Sequence, residues 1–204
     1  MGRIFERAEK YLDQIDPGEF VEIGTSRNGD DGSTSTLAEW ARQKQTHLYT
    51  VDMDPVNCEF VQNLHIQNCT IINSSGEDYL YKRIYSIRPI SFLYLDNFDW
   101  DWHPENTESF VVDQQHRYAE LGMPEMNNTN SQRAHLAQAM YAVPHMAARS
   151  LIVCDDTWFN KWWGHYSGKS GSAIPFLLNQ GYCVLETEEQ PVYGTILGKG
   201  ITVR

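Results

Sequence analysis

The chain has 204 residues, 41% of them hydrophobic, and a formal net charge of −11 from 16 basic and 27 acidic residues. That length supports one domain with a full core, and no apolar run approaches the roughly 20 residues that span a bilayer. The acidic balance opposes counterion release from a polyphosphate, so neither nucleic acid nor a membrane is an expected partner.

The opening MGRIFERAEKYLDQ is charged and lacks the apolar block of a secretory signal, which points to a cytoplasmic protein. Cys58, Cys69, Cys154 and Cys183 are scattered without CxxC spacing and read as buried reduced thiols. Residues 3–14 form an amphipathic helix with Ile4, Phe5, Ala8, Tyr11 and Leu12 on one face. After the turn Asp16-Pro17-Gly18, the short apolar run around Phe20, Val21 and Ile23 is a buried strand. It ends in Gly24, Thr25 and Ser26, then Gly29 and Gly32, and the hydroxyls from Ser33 to Thr36 open a helix through LAEWARQ. Strand, glycine loop and helix N-terminus in that order bind small charged ligands in open α/β folds.

LYTVDMD is a second strand ending in acids, Pro55 opens a helix, and TIINSS is a third strand. Glu77 to Tyr85 is helical, and PISFLYLD is a fourth strand ending at Asp96. Residues 97–130 are rich in turn formers and read as an irregular insert in a single domain spanning 1–204. SQRAHLAQAMYAVPHMAA is a helix capped by Ser131 and kinked at Pro144, and SLIVCDD is a fifth strand. An aromatic loop, TWFNKWWGHY, follows; its tryptophans wall the site, pack beneath the loop or form a homodimer contact. SAIPFLLNQGY is a last helix, with strands YCVLETE and VYGTILG after it and ITVR placed to pair beyond them. The alternation gives an α/β fold with a largely parallel sheet.

Ligands in such sheets sit beyond the carboxyl ends of the strands. The residues there are Glu22 to Gly24, Asp52, Ser74 and Ser75, Asp96, and Asp155 with Asp156. Carboxylates converging on one rim repel, so they imply a cation between them or side chains that point apart. An acid such as Asp52 can accept both hydroxyls of a ribose, although it lies further past the glycines than the roughly 20 residues of a dinucleotide fold. Gly24-Thr25-Ser26 lacks the second glycine of GxGxxG, and Glu22 would repel a diphosphate but suit a cationic ligand.

EIGTSRNGDDGST, VDMDP and INSSGED resemble the cofactor half of class I S-adenosylmethionine-dependent methyltransferases. YLD and VCDD resemble the fourth and fifth strand ends of the metal-dependent O-methyltransferases of the catechol and caffeoyl-CoA type. The resemblance implies a Rossmann-like open sheet, mostly parallel with an antiparallel C-terminal strand and with helices on both faces. It implies that Gly24, Thr25, Ser26, Gly29, Gly32 and Ser33 form the loop under the methionine part of the cofactor, and that Glu22 holds that loop or the amino group. By the same carry-over Asp52 binds the ribose, Met53 packs on the adenine, and Ser74, Ser75 and Gly76 border it. Asp96, Asp155 and Asp156 match three metal ligands, for which magnesium is the expected ion. Two features depart from the family pattern: the glycine loop is longer, and Asp99 stands near the position of the lysine base. The base is then sought among His103, His165 and Lys161. The implied activity is metal-assisted O-methylation of a small hydroxylated substrate such as a sugar or phenol. A nicotinamide-binding oxidoreductase and a non-catalytic binding protein on the same fold are the alternatives.

Overall fold

A computed structural model describes residues 4–27, 32–83, 86–101, 109–188 and 193–203. The first turn is α-helical, α1 (Ile4–Arg7), and tightens to a 3-10 helix over Ala8–Gln14, so the predicted amphipathic segment keeps its buried face on two helix types. Then follow β1 (Glu19–Ile23), α2 (Ser33–Gln43), β2 (Leu48–Asp52), α3 (Pro55–Asn63), β3 (Cys69–Asn73), α4 (Gly76–Lys82) and β4 (Ile90–Leu95). The second half holds α5 (Ser109–Glu120), α6 (Asn128–Ala142), β5 (Met146–Asp155), β6 (Thr157–Asn160), β7 (His165–Gly168), α7 (Ala173–Asn179), β8 (Cys183–Glu188) and β9 (Gly194–Lys199).

Seven strands form one sheet in the order β3-β2-β1-β4-β5-β9-β8, and β6 pairs with β7 in a separate hairpin. The pairings from β3 through β5 are parallel, while β9 runs antiparallel to both β5 and β8. This is the α/β, mostly parallel Rossmann-like sheet that the resemblance implies. Strands buried on both faces read as continuous apolar runs, and alternate residues here feed opposite cores. Phe20, Phe92, Tyr94, Leu151 and Val153 pack with α1 and α2 on one side. Val21, Ile23, Leu93, Leu95, Ile152 and Cys154 pack with α4, α6 and α7 on the other. Among the described residues no helix is long and apolar enough to cross a membrane.

Four local expectations are corrected. The stretch read as irregular between 97 and 130 contains α5, and α6 begins at Asn128 with Asn127 Oδ1 accepting from Asn130 N at 2.9 Å. Val111 and Tyr118, seven residues apart, put one apolar face of α5 against Phe98 and Met126, a period that the surrounding Pro and Asn residues obscure. Pro144 does not kink a continuous helix; it sits in a 3-10 turn over Val143–His145, and β5 begins at Met146. The aromatic loop is a hairpin. Ile201 to Val203 do not form a further strand; Thr202 instead bonds Gln14.

Candidate functional site

Sheet register builds the rim. Val51, Ile23, Leu95 and Cys154 are partners in one row across β2, β1, β4 and β5. The next residue on each strand is Asp52, Gly24, Asp96 and Asp155, so four of the expected site residues emerge level with one another. Asp52, Gly24 and Asp96, though not Asp155, border a cleft of about 430 Å³ lined also by Thr25, Arg27, Met53, Asn97 and Tyr118.

Glu22 lies one residue short of the rim and is fully buried. Its carboxylate accepts from Ser33 Oγ and Thr34 Oγ1 at 2.7 Å each and from Thr50 Oγ1 at 2.6 Å. It therefore ties β1 to β2 and to the start of α2, which is loop-holding rather than ligand contact. Burial outweighs these hydroxyls and pushes its carboxyl up to about 7. The loop after Gly24 is wired to the same helix start. Ser26 N donates to Thr34 Oγ1 at 2.9 Å, Thr34 N returns a bond to Ser26 Oγ at 3.1 Å, and the Ser26 and Ser33 hydroxyls meet at 3.3 Å. Gly24 has φ +96°, and a Cβ there would lie 2.4 Å from the Asp96 carbonyl oxygen. The glycine is demanded by the neighbouring strand end rather than by room for a ligand. Gly32, also left-handed at φ +82°, precedes α2. Gly29 lies outside the described residues.

Asp52 accepts Thr25 N at 3.1 Å on one oxygen and Asp54 N at 2.7 Å on the other. The Asn57 side chain also bonds this carboxylate, which leaves about one lone pair for a ligand hydroxyl. Burial raises its carboxyl to about 6. Asn97 Oδ1, also lining the cleft, is buried and has no hydrogen-bond partner among the described residues. A buried acceptor left bare in a cleft calls for a donor, which an amino group would supply. Met53 lines the cleft. Ser74, Ser75 and Gly76 are not among its lining residues: Ser75 Oγ caps α4 through Asp78 N at 3.2 Å, and a Cβ on Gly76 would meet Ile23 at 2.3 Å.

Sequence reasoning missed the outer wall. Arg117 of α5 clamps Asp54 with Nε to Oδ2 at 2.7 Å and Nη2 to Oδ1 at 2.6 Å, a bidentate pair across the cleft mouth. Arg27 pairs with Asp99 at 3.1 Å, and Tyr118 Oη accepts from Asp99 N at 2.9 Å. Asp99, at the position where a lysine base was sought, is thus an anchor for the wall.

At the other end of the rim Asp96, Asp155 and Asp156 come together, each offering an oxygen within 4.8 Å of the others. The sequence reading did not foresee what lies among them. Lys169 Nζ is 2.8 Å from Asp96 Oδ1 and 3.0 Å from Asp156 Oδ2, and its side chain is only 4% exposed. Burial would lower the ammonium, but Asp96, Asp156 and Asp155 hold it well above the ordinary lysine range. Burial likewise opposes ionisation of Asp96, yet Lys169 brings its carboxyl below the usual value. Burial, reinforced by Asp96 and Asp156, drives Asp155 well up. Tyr94 Oη donates to the second Asp96 oxygen at 3.1 Å. As a donor set the three acids suit a hard divalent ion, but with the ammonium on two of them they do not fit one here.

Of the predicted bases, His165 and Lys161 are not part of this cluster. His165 pairs with Asn160 near the turn of the β6–β7 hairpin, exposed and in contact with Trp163, whereas the acids are at its base. Lys161 lies in that turn, and His103 falls outside the described residues. The tryptophans divide: Trp158 packs on Tyr193 and Trp100, while Trp162 and Trp163 are 96% and 75% exposed.

Strand order and rim together define an open α/β class with a cleft over β1, β2 and β4. Individual solved structures share the fold. One is a candidate methyltransferase from Streptococcus mutans in complex with SAH, at TM-score 0.56, 13% identity and coverage of 98% of this chain and 99% of that one. Another is a candidate rRNA methylase from Clostridium thermocellum, at TM-score 0.54, 12% identity and 97% of each chain. A third is the O-methyltransferase NovP, at TM-score 0.56, 8% identity, 95% of this chain and 78% of that one. At such identities the likeness is one of fold. No protein-family model and no protein of curated function matches the sequence.

Proposed function

We propose that the chain is an S-adenosylmethionine-dependent methyltransferase that modifies a hydroxyl on a small molecule. The observation that carries the reading is the cleft itself. A buried carboxylate, Asp52, keeps a lone pair in the same cleft as Asn97 Oδ1, a buried acceptor bare among the described residues, and the sequence after β1 lacks the second glycine of GxGxxG. Ribose hydroxyls suit the first and an amino group the second. The solved complex with SAH on the same fold supports this choice of ligand.

When bound, the cofactor would supply an activated methyl group. The chain's share is alignment, which carries most of an in-line displacement. Asp52 and Asn97 would fix the ligand's two polar ends, and Arg117 with Tyr118 would cover it. An acceptor hydroxyl arriving at this end of the rim would meet Asp156, whose partly exposed carboxylate can take a hydrogen bond and the proton. Lys169 already occupies oxygens of two of the three acids that would hold a metal.

The acceptor class rests on charge. A net −11 disfavours the polyanion that an rRNA methylase must hold, whereas a sugar or phenol brings no such conflict. The test is incubation of the full chain with methyl-labelled S-adenosylmethionine and panels of sugars, phenols and ribosomal RNA. Label in a small hydroxylated compound supports the reading; label in RNA alone overturns the acceptor class.

A further inference from the structure

We propose that Lys169 is the resident cation of the acid cluster, standing where a divalent ion would otherwise bind, so that the protein excludes such ions. The lysine does not reach the cluster by a chance rotamer. The β6–β7 hairpin leaves the rim directly after Asp156 and returns Lys169 to the same point. There the Lys169 N–H donates to the Asp156 carbonyl at 3.0 Å. The return is built for close approach: Gly168 has φ +89°, and a Cβ on it would lie 1.8 Å from that carbonyl oxygen. Asp156 itself takes a positive φ of 44°, strained for a residue with a side chain. Ser170 N donates to Thr157 Oγ1 at 2.9 Å and locks the next residue. Backbone on both sides of the lysine is therefore committed to placing its ammonium against Asp96 and Asp156.

The consequence is electrostatic. One buried ammonium already sits on oxygens of Asp96 and Asp156, two of the three acids, and a second cation on the same oxygens would be repelled by it. Lys169 is a positioning residue on this account, since its near-complete burial keeps it from the acceptor. It sets the spacing of Asp96 and Asp156.

Titration of the full chain with manganese chloride, read by electron paramagnetic resonance, tests this without cofactor or substrate. It is thus independent of the methyltransferase reading. The wild type should show no saturable ion site that depends on Asp155 up to millimolar concentration. Lys169→Met should gain one, with affinity at least tenfold higher, and the site should vanish again when Asp155→Asn is added. Lys169→Arg, which keeps the charge, should stay without it. A wild-type site abolished by Asp155→Asn overturns the proposal, and so does a folded Lys169→Met that gains nothing. If Lys169→Met fails to fold, Lys169→Gln takes its place in the same comparison.

Discussion

Lys169 and Asp96, 73 residues apart in the chain, meet in a 2.8 Å ion pair that joins the β6–β7 hairpin to the end of β4. Removing one member of a buried pair leaves the other uncompensated, which typically costs ~3–5 kcal/mol. Lys169→Met should therefore lower unfolding stability by about 3 kcal/mol in urea titration. Millimolar manganese should return part of that loss to the variant and nothing to the wild type.

Glu22 gives a pH signature. Its carboxyl, raised by burial to about 7 from an ordinary 4.5, holds a proton in the folded chain that the unfolded chain has released. The stabilisation is full below 4.5 and is lost as pH rises through 7, so stability should fall across that window. Asp52, raised to about 6, adds the same sign over a narrower range. Glu22→Gln should reduce the slope without abolishing it, as read from denaturation midpoints between those two pH values.

Gly24→Ala should be among the most damaging single changes. The new methyl would lie 2.4 Å from the Asp96 carbonyl oxygen, at a φ of +96° that side chains rarely adopt. Strain of that kind costs ~1–3 kcal/mol before the backbone shift is counted, so the melting temperature should drop by several degrees. The same methyl on Gly122, where φ is +67° with nothing within 4 Å, should cost less because only the backbone term remains.

Arg117→Ala should act on ligand exchange more than on stability. The pair with Asp54 lies at the cleft mouth, and partly exposed pairs contribute about 1 kcal/mol or less. Release of α5 should speed hydrogen exchange over residues 111–121 and raise the cofactor dissociation rate in stopped-flow. An unchanged rate with faster exchange would mean that α5 does not cover the ligand.

The strands and their terminal acids were readable because parallel strands buried on both faces are short apolar runs, and each such run stops at Gly24, Asp52, Asp96 or Asp155. Local chemistry sufficed there. Helix α5 was hidden because Val111 and Tyr118 carry its period between segments rich in Pro and Asn. Lys169 was hidden for a different reason: its partners are set by a hairpin that doubles back, and no local spacing reports that. The nearest signal was Gly168 beside a lone lysine, 13 residues after the Asp pair. Ser75 caps α4, since a small-residue turn suits a helix cap as well as a ligand.

Calorimetric titration of the full chain with S-adenosylmethionine and its demethylated product reads the cleft's ligand without any acceptor. One site for both is predicted, in buffer free of divalent ions, with Asp52→Ala weakening it at least tenfold. Absence of binding by either at millimolar concentration, or a site that takes NAD in their place, would contradict the methyltransferase reading.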